Sequence, residues 1–346
     1  MVDYRDIMSS WWREKAACND PRVKTKLLNH VFRPPAIEGK KPGKSSGSKT
    51  NLQHKGLLES RNSLSDSEEL PTFVIRPITG WRFLDLGELW AYRELIYFLT
   101  WRDIKVRYKQ TAIGVAWAVL QPLAMMVAFT LFLGRLARVP SDGIPYPLFA
   151  CAGLLPWQLF SRTISESTSS LITDQRLITR VYFPRIIVPF AKTLAALLDF
   201  IIASGLLVVL MFVYGVTPGG AVIWLPAFVV LMLITALGVG FWLSALNVEY
   251  RDVMYTVPFL NQFWLFLTPV VYPSSLVPER WRVLYGLNPM AGVVEGFRWA
   301  LLGAGEGPSL MLAASALVAV SLFIGGIFWF RHRELAFVDA IGSGGL

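Results

Sequence analysis

The distribution of charge constrains this chain most. Residues 112–330 consist of long apolar runs in which charged side chains occur only as short islands. About 20 consecutive apolar residues span the hydrocarbon core of a bilayer. Inside lipid, only helices and closed barrels satisfy all of their own backbone polar groups. Six runs stand out, at 113–133, 144–160, 186–214, 221–246, 254–272 and 308–330. The second is short and carries Pro147 and Pro156. Composition agrees: of 346 residues, 54% are hydrophobic and 16% charged, against about a quarter charged in a soluble domain. The expected fold class is an all-α polytopic membrane protein with six transmembrane helices.

The rest of the chain divides around that block. Residues 1–70 read as a polar, disordered extension. Its stretch "PPAIEGKKPGKSSGSKT" is rich in Pro, Gly and Ser and has too few apolar side chains to offset the entropy of ordering. Within it, "GKKPGKS" imitates a phosphate-binding loop. That loop needs four residues between its first Gly and the Gly-Lys-Ser, and only Lys40, Lys41 and Pro42 intervene. The chain is therefore expected to have no nucleotide site of its own. Residues 71–111 mix Leu, Trp, Tyr and Phe with Arg and Lys. Leu86, Leu89, Trp90, Ile96 and Leu99 recur at helical spacing, the pattern of a basic amphipathic helix lying on a membrane surface. Residues 331–346 form a C-terminal tail.

Lys and Arg in the flanks orient the spans, because cytoplasmic loops carry the excess of positive charge. With both termini cytoplasmic, the inner flanks hold fourteen such residues. The outer flanks hold five: Arg135, Arg138, Arg280, Arg282 and Arg298. The segment "TDQRLITRVYFPR", 173–185, then lies in the cytoplasm. It reads as a short charged helix stopped by Phe183-Pro184. Leu177, Ile178, Val181 and Tyr182 offer apolar side chains to a partner's groove, and Arg176 and Arg180 supply charge. On the outer side, 273–307 is broken by Pro278, Gly286 and Pro289, yet carries apolar stretches with Trp281, Glu295 and Arg298. Two short helices dipping into the outer leaflet fit this pattern, since broken backbone at membrane depth needs protein or water beside it. A surface amphipathic loop is the alternative.

Residues for an enzyme are missing. His30, His54 and His332 all fall in tails, and no Cys/His spacing suits a metal. Cys18 and Cys151 lie too far apart in kind of segment, tail and span, to imply a disulfide. The net charge of +9 reads as cytoplasmic bias rather than a nucleic-acid surface. Two charges lie within the third run. Lys192 and Asp199 are seven residues apart, about 10 Å along a helix, so they share a face without pairing. Aromatic residues offer a lining on which the C–H faces of sugars could stack. These are Trp117, Phe129 and Phe132 in the first run, and Phe263, Trp264, Phe266 and Tyr272 in the fifth, with Asn261 among them. Lipid-facing rings are the alternative reading.

Five ordered stretches carry a family likeness: "LIYFLTWRDIKVRYKQTAIGVAWAVLQPL", "RLITRVYFPRIIVP", "LNVEYRDV", "LTPVVYP" and "LNPMAGVVEGFRWALLG". Together the chain resembles the permease subunits of ABC-type polysaccharide exporters, which move O-antigen, capsule or teichoic acid chains across the bacterial cytoplasmic membrane. The resemblance implies a transport subunit rather than an enzyme, forming a homodimer with two separate ATP-binding ABC subunits that hold the ATP and Mg. It implies an undecaprenyl-linked polysaccharide as substrate, O-antigen foremost. Asp174, Gln175, Arg176, Leu177, Ile178, Arg180 and Tyr182 would form the coupling helix that docks on the ATPase. Trp281, Glu295 and Arg298 would be outer gate candidates, and the aromatic set above the conduit. No metal or cofactor in this chain follows. An ATP-independent lipid scramblase and a membrane enzyme of glycan assembly are the competing classes.

Overall fold

The computed structural model describes residues 86–109, 114–181, 183–303, 307, 309–334 and 337. The extension 1–70, Cys18, Tyr182 and the last residues of the C-terminal tail lie outside the described residues. Among the described residues every regular element is helical. The short α1 (Leu86–Ala91) leads into α2 (Arg93–Lys109). The first bundle helix, α3 (Ala116–Phe129), ends in a wider π-helical stretch, Thr130–Leu136. The long α4 (Tyr146–Thr173) is followed by a single turn, α5 (Gln175–Ile178). Then come α6 (Ile187–Val213), α7 (Leu225–Glu249) and α8 (Val253–Leu267). The chain closes with α9 (Glu279–Tyr285), α10 (Pro289–Leu302) and α11 (Leu310–Arg333).

Among the described residues four segments are long and apolar enough to cross a membrane: Ala116–Leu136, Ile187–Val213, Gly220–Glu249 and Leu310–Arg333. The other two expected spans differ from their sequence reading. The run at 144–160 is the first half of α4, a 28-residue helix, about 42 Å long at 1.5 Å per residue. Its second half carries Arg162 and Glu166, which breaks the apolar pattern. Pro147 does not shorten it, because Pro in the first turn needs no N–H partner. The run at 254–272 holds only 15 helical residues in α8, and the chain unwinds from Thr268.

Helix α4 is the central post. From Leu148 to Leu171 most of its side chains are buried against α3, α6, α7, α8 and α10. Around its apolar half lies the main core, with Leu154, Phe160, Phe200, Met232, Val270, Val294 and Phe297. A second core forms at the other end, where Leu99, Leu171, Ile178, Phe183, Ile186, Phe241, Phe330 and Phe337 gather. Helices α7 and α11 meet through small residues. A Cβ on Gly326 would lie 2.5 Å from the Gly238 carbonyl oxygen, so only glycine allows this approach, as at many helix contacts in lipid. Beside it, Trp242 stacks on Trp329 at 5.1 Å.

Helix α2 departs from the simple amphipathic reading. Leu99 is buried in the second core and Ile96 packs on it, as does Leu89 of α1, while Trp90 of α1 is exposed. Tyr97, Phe98 and Trp101 are exposed as well. The helix is apolar on two sides: an aliphatic side held by protein and an aromatic side facing away from it. A single-face periodicity cannot separate these two.

Candidate coupling elbow and central cavity

The segment expected to form a charged helix is smaller than its sequence suggests. Helix α4 runs on to Thr173, and α5 is one turn. The Asp174 carbonyl accepts from the N–H groups of Leu177 at 2.9 Å and Ile178 at 3.2 Å, which starts the turn. The apolar side chains point inward: Ile178 is buried in the second core and Leu177 packs against it. Gln175, Arg176, Thr179, Arg180 and Val181 are exposed. Val181 aside, the outward surface of the elbow is therefore polar and basic, not the apolar ridge of Leu177 and Ile178 that a free helix would offer. A short helix at the end of a bundle fills its own core first, because that burial is intramolecular.

Ion pairs fasten the elbow. Asp174, nearly buried, meets Arg102 of α2 at 2.9 Å and Lys192 of α6 at 3.6 Å. Lys192 also reaches Asp103 at 2.9 Å, and Arg102 pairs with Asp103 at 2.8 Å. Two acids and two bases alternate, so the charges balance, with Asp103, Asp174 and Lys192 mostly buried and Arg102 partly exposed. Lys192, which sequence alone leaves between snorkelling and a pathway role, is thus a tie between α6, α2 and the elbow.

A second tier lies deeper. Asp199 is 6% exposed at its side chain and accepts from Arg107, from Tyr108, and from Arg162 at 2.5 Å. Arg107 also holds Glu166 at 2.5 Å, and Arg162 approaches Glu166 at 3.6 Å. Burial first, and then the hydrogen bond to Asp199, push the Tyr108 phenol up to about 12, so it stays a donor at neutral pH. Sequence reasoning flagged Asp199 but not its partners. Arg107 was one flank charge among many, and Arg162 and Glu166 fell just beyond the expected end of a span.

This second tier walls a cavity of about 470 Å³. Arg162, Glu166 and Asp199 line one side with Gln121, Gln158 and Ser165, and Trp157, Phe200 and Leu265 close the apolar side. Of the residues considered for a conduit, none lines this cavity. Trp117, Phe132, Phe263 and Phe266 are exposed on the outside of the chain. Phe129 packs partly buried on the main core. Phe263 and Trp264 instead border a separate apolar recess of about 300 Å³ with Asn261 and Leu267.

The remaining singled-out residues act as joints. Asn261 donates to the Ser161 carbonyl at 3.1 Å and to Ser165 Oγ at 3.0 Å, tying α8 to α4. Trp264 Nε1 donates to Asn288 Oδ1 at 3.0 Å, and its ring meets Phe160 edge-on at 5.1 Å. Asn288 Nδ2 donates to the Leu267 carbonyl and to Thr268 Oγ1, and Oδ1 accepts from the Met290 N–H that opens α10. Tyr272 and Tyr285 share a hydroxyl contact of 2.8 Å. The three residues grouped at the outer side do not cluster: Trp281 is exposed, while Glu295 and Arg298 are buried in α10. Arg298 donates to the Pro269 carbonyl at 2.6 Å and to that of Val270, with its guanidinium 3.7 Å from the Phe149 ring centroid. It satisfies the backbone left open where α8 unwinds.

Long apolar helices around a half-polar post, with a basic elbow pinned at one end, define a multi-pass helical membrane protein. The chain belongs to the ABC-2 type transporter family, whose match covers residues 94–302. It is similar to the O-antigen export system permease protein RfbA of Myxococcus xanthus, 30% identical over 73% of this chain and 98% of the relative. An RfbA of Klebsiella pneumoniae is 31% identical over 59% of this chain and 79% of its own length. The polysialic acid transport protein KpsM of Escherichia coli is 27% identical over 69% and 93%.

Proposed function

We propose that this chain is the transmembrane permease of an ATP-driven exporter of lipid-linked polysaccharide, acting as a homodimer with two separate ATPase subunits. The relatives named for O-antigen export favour that glycan, carried on undecaprenyl. The relative named for polysialic acid transport keeps a capsule glycan as a second reading. The chain would lie in the bacterial inner membrane with both termini cytoplasmic. Helices α3, α4, α6, α7, α8 and α11 would give six crossings, and α9 with α10 would re-enter from the outer side. Arg298, which satisfies carbonyls of broken backbone, supports that last point.

One observation carries the coupling role. The elbow turns Leu177 and Ile178 inward and leaves Gln175, Arg176, Thr179, Arg180 and Val181 facing out. Asp174 meanwhile ties it to α2 and α6. A docked ATPase would push on a surface tied at its entry to those two helices. The conduit would form between two copies of the chain, where the exposed Trp117, Phe132, Phe263 and Phe266 could meet a passing glycan.

The test is co-purification with the ATPase, together with export. Arg176→Glu with Arg180→Glu should abolish ATPase association and glycan export while the chain still inserts and folds. Normal export by that double variant overturns the docking role. A chain that never retains an ATPase points to a scramblase instead.

A further inference from the structure

Glu334 and Phe337, just past α11, meet the exit of the elbow. Glu334 Oε1 accepts from the Arg185 backbone N–H at 2.8 Å, and the Arg185 guanidinium donates back to the Glu334 carbonyl. Each residue thus holds the other through one backbone and one side-chain group, across 149 positions of sequence. Glu334 Oε2 also meets Arg331 at 3.3 Å, in the basic last turn of α11. Three residues on, Phe337 is buried, edge-on to Phe330 at 5.3 Å. It belongs to the same core as Ile178, Phe183 and Ile186.

Arg185 follows Phe183-Pro184, where the elbow turns into α6. Pro184 has no N–H, so Arg185 supplies the first amide after it. An acceptor oxygen at this position satisfies that amide, and the Arg185 guanidinium closes the return contact. Together they fix the exit angle of the elbow. The ion pairs of Asp174 fix only its entry.

We propose that Glu334 and Phe337 are positioning residues for ATP coupling: the C-terminal segment clamps the exit of the elbow, so that force on α5 reaches α6 and α11 together. This rests on the docking reading above. Without the clamp the ATPase still binds, since Arg176 and Arg180 stay exposed, but its stroke is spent on bending the elbow.

The experiment uses the full-length permease with its ATPase in lipid nanodiscs, comparing Glu334→Gln, Glu334→Ala and Phe337→Ala with wild type. The amide oxygen of Gln still accepts the Arg185 N–H, so Glu334→Gln should stay within twofold of wild type in ATPase rate and export. Glu334→Ala and Phe337→Ala should keep the ATPase bound, yet lose export at least fivefold. Hydrogen exchange of the 174–190 peptide should quicken in Glu334→Ala while that of 225–249 is unchanged. Wild-type export by Glu334→Ala, unaltered exchange at 174–190, or a Gln variant as poor as the Ala variant would each overturn the clamp. A Glu334→Ala chain too unstable to purify would also count against it, because the residue would then hold up the fold rather than position the elbow. The Arg176→Glu/Arg180→Glu variant separates the two readings. If it still binds the ATPase, the docking reading fails. If it releases the ATPase while Glu334→Ala exports normally, only the clamp fails.

Discussion

Replacing Asp199 by Ala tests the inner charge tier most directly. Its carboxylate receives Arg107, Arg162 and Tyr108, and lies on α6 about 18 Å from the start of that helix. Removing one partner of a buried ion pair costs about 3–5 kcal/mol, because the other charge is left without compensation. Two features lower that figure here. The arginine side chains are 23% and 32% exposed, so water screens them. Glu166 also remains beside both, at 2.5 and 3.6 Å. The expected loss is about 2–3 kcal/mol, or roughly 5 °C at about 2 °C per kcal/mol for a chain of this size. Tyr108 donates to Oδ1 and both arginines to Oδ2. Asp199→Asn therefore keeps its one oxygen for the arginines and turns its NH2 toward the Tyr108 hydroxyl, which can accept; it should lose about half as much.

Thermal unfolding in lipid nanodiscs, followed by tryptophan fluorescence, measures the difference. The double variant Arg162→Ala/Asp199→Ala should be less impaired than the sum of its single changes, because the coupling between the two is then counted once. Refutation would be a melting point for Asp199→Ala within about 1 °C of wild type, or full additivity in the cycle. Either result would mean that the tier is solvated like a surface pair.

Two further changes probe packing and surface. Phe263→Ala removes an exposed ring, so stability should change by less than about 0.5 kcal/mol while glycan export slows several-fold in a cell-based assay. Unchanged export would make that ring a lipid contact. Gly326→Val drives a side chain into the Gly238 carbonyl and should cost about 1–3 kcal/mol, read as a lower melting point and a lower yield of folded protein. A fully stable Val variant would mean that α7 and α11 separate without penalty.

Much of this molecule was legible from periodicity and charge placement, and the misses have physical causes. The helical class, the apolar spans at 187–213 and 310–333, and the broken stretch before α10 follow from composition along the chain. The length of α4 was hidden because Arg162 and Glu166 look like the end of a span when their partners are unseen. The small size of α5 was hidden because Leu177 and Ile178 fit a docking ridge as well as an inner core. Asn247, in the family-like "LNVEYRDV", shows the same effect. It is buried, donating to the Thr168 carbonyl at 2.9 Å and accepting the Met254 N–H at 3.1 Å. A motif that reads as a signature is a joint between three helices.

By itself the sequence determined that this chain is a helical membrane protein, because in lipid only helices and closed barrels satisfy the backbone, and continuous apolar runs of about 20 residues fit helices and not the alternating strands of a barrel. It also located the islands of charge. Only the tertiary structure decided what those charges do. Arg107, Tyr108, Arg162, Glu166 and Asp199 come from three helices and meet within hydrogen-bond reach. Lys192 finds acids from two other elements. Charge pairing in a low-dielectric interior depends on distance across the fold, a quantity that spacing along one helix does not contain.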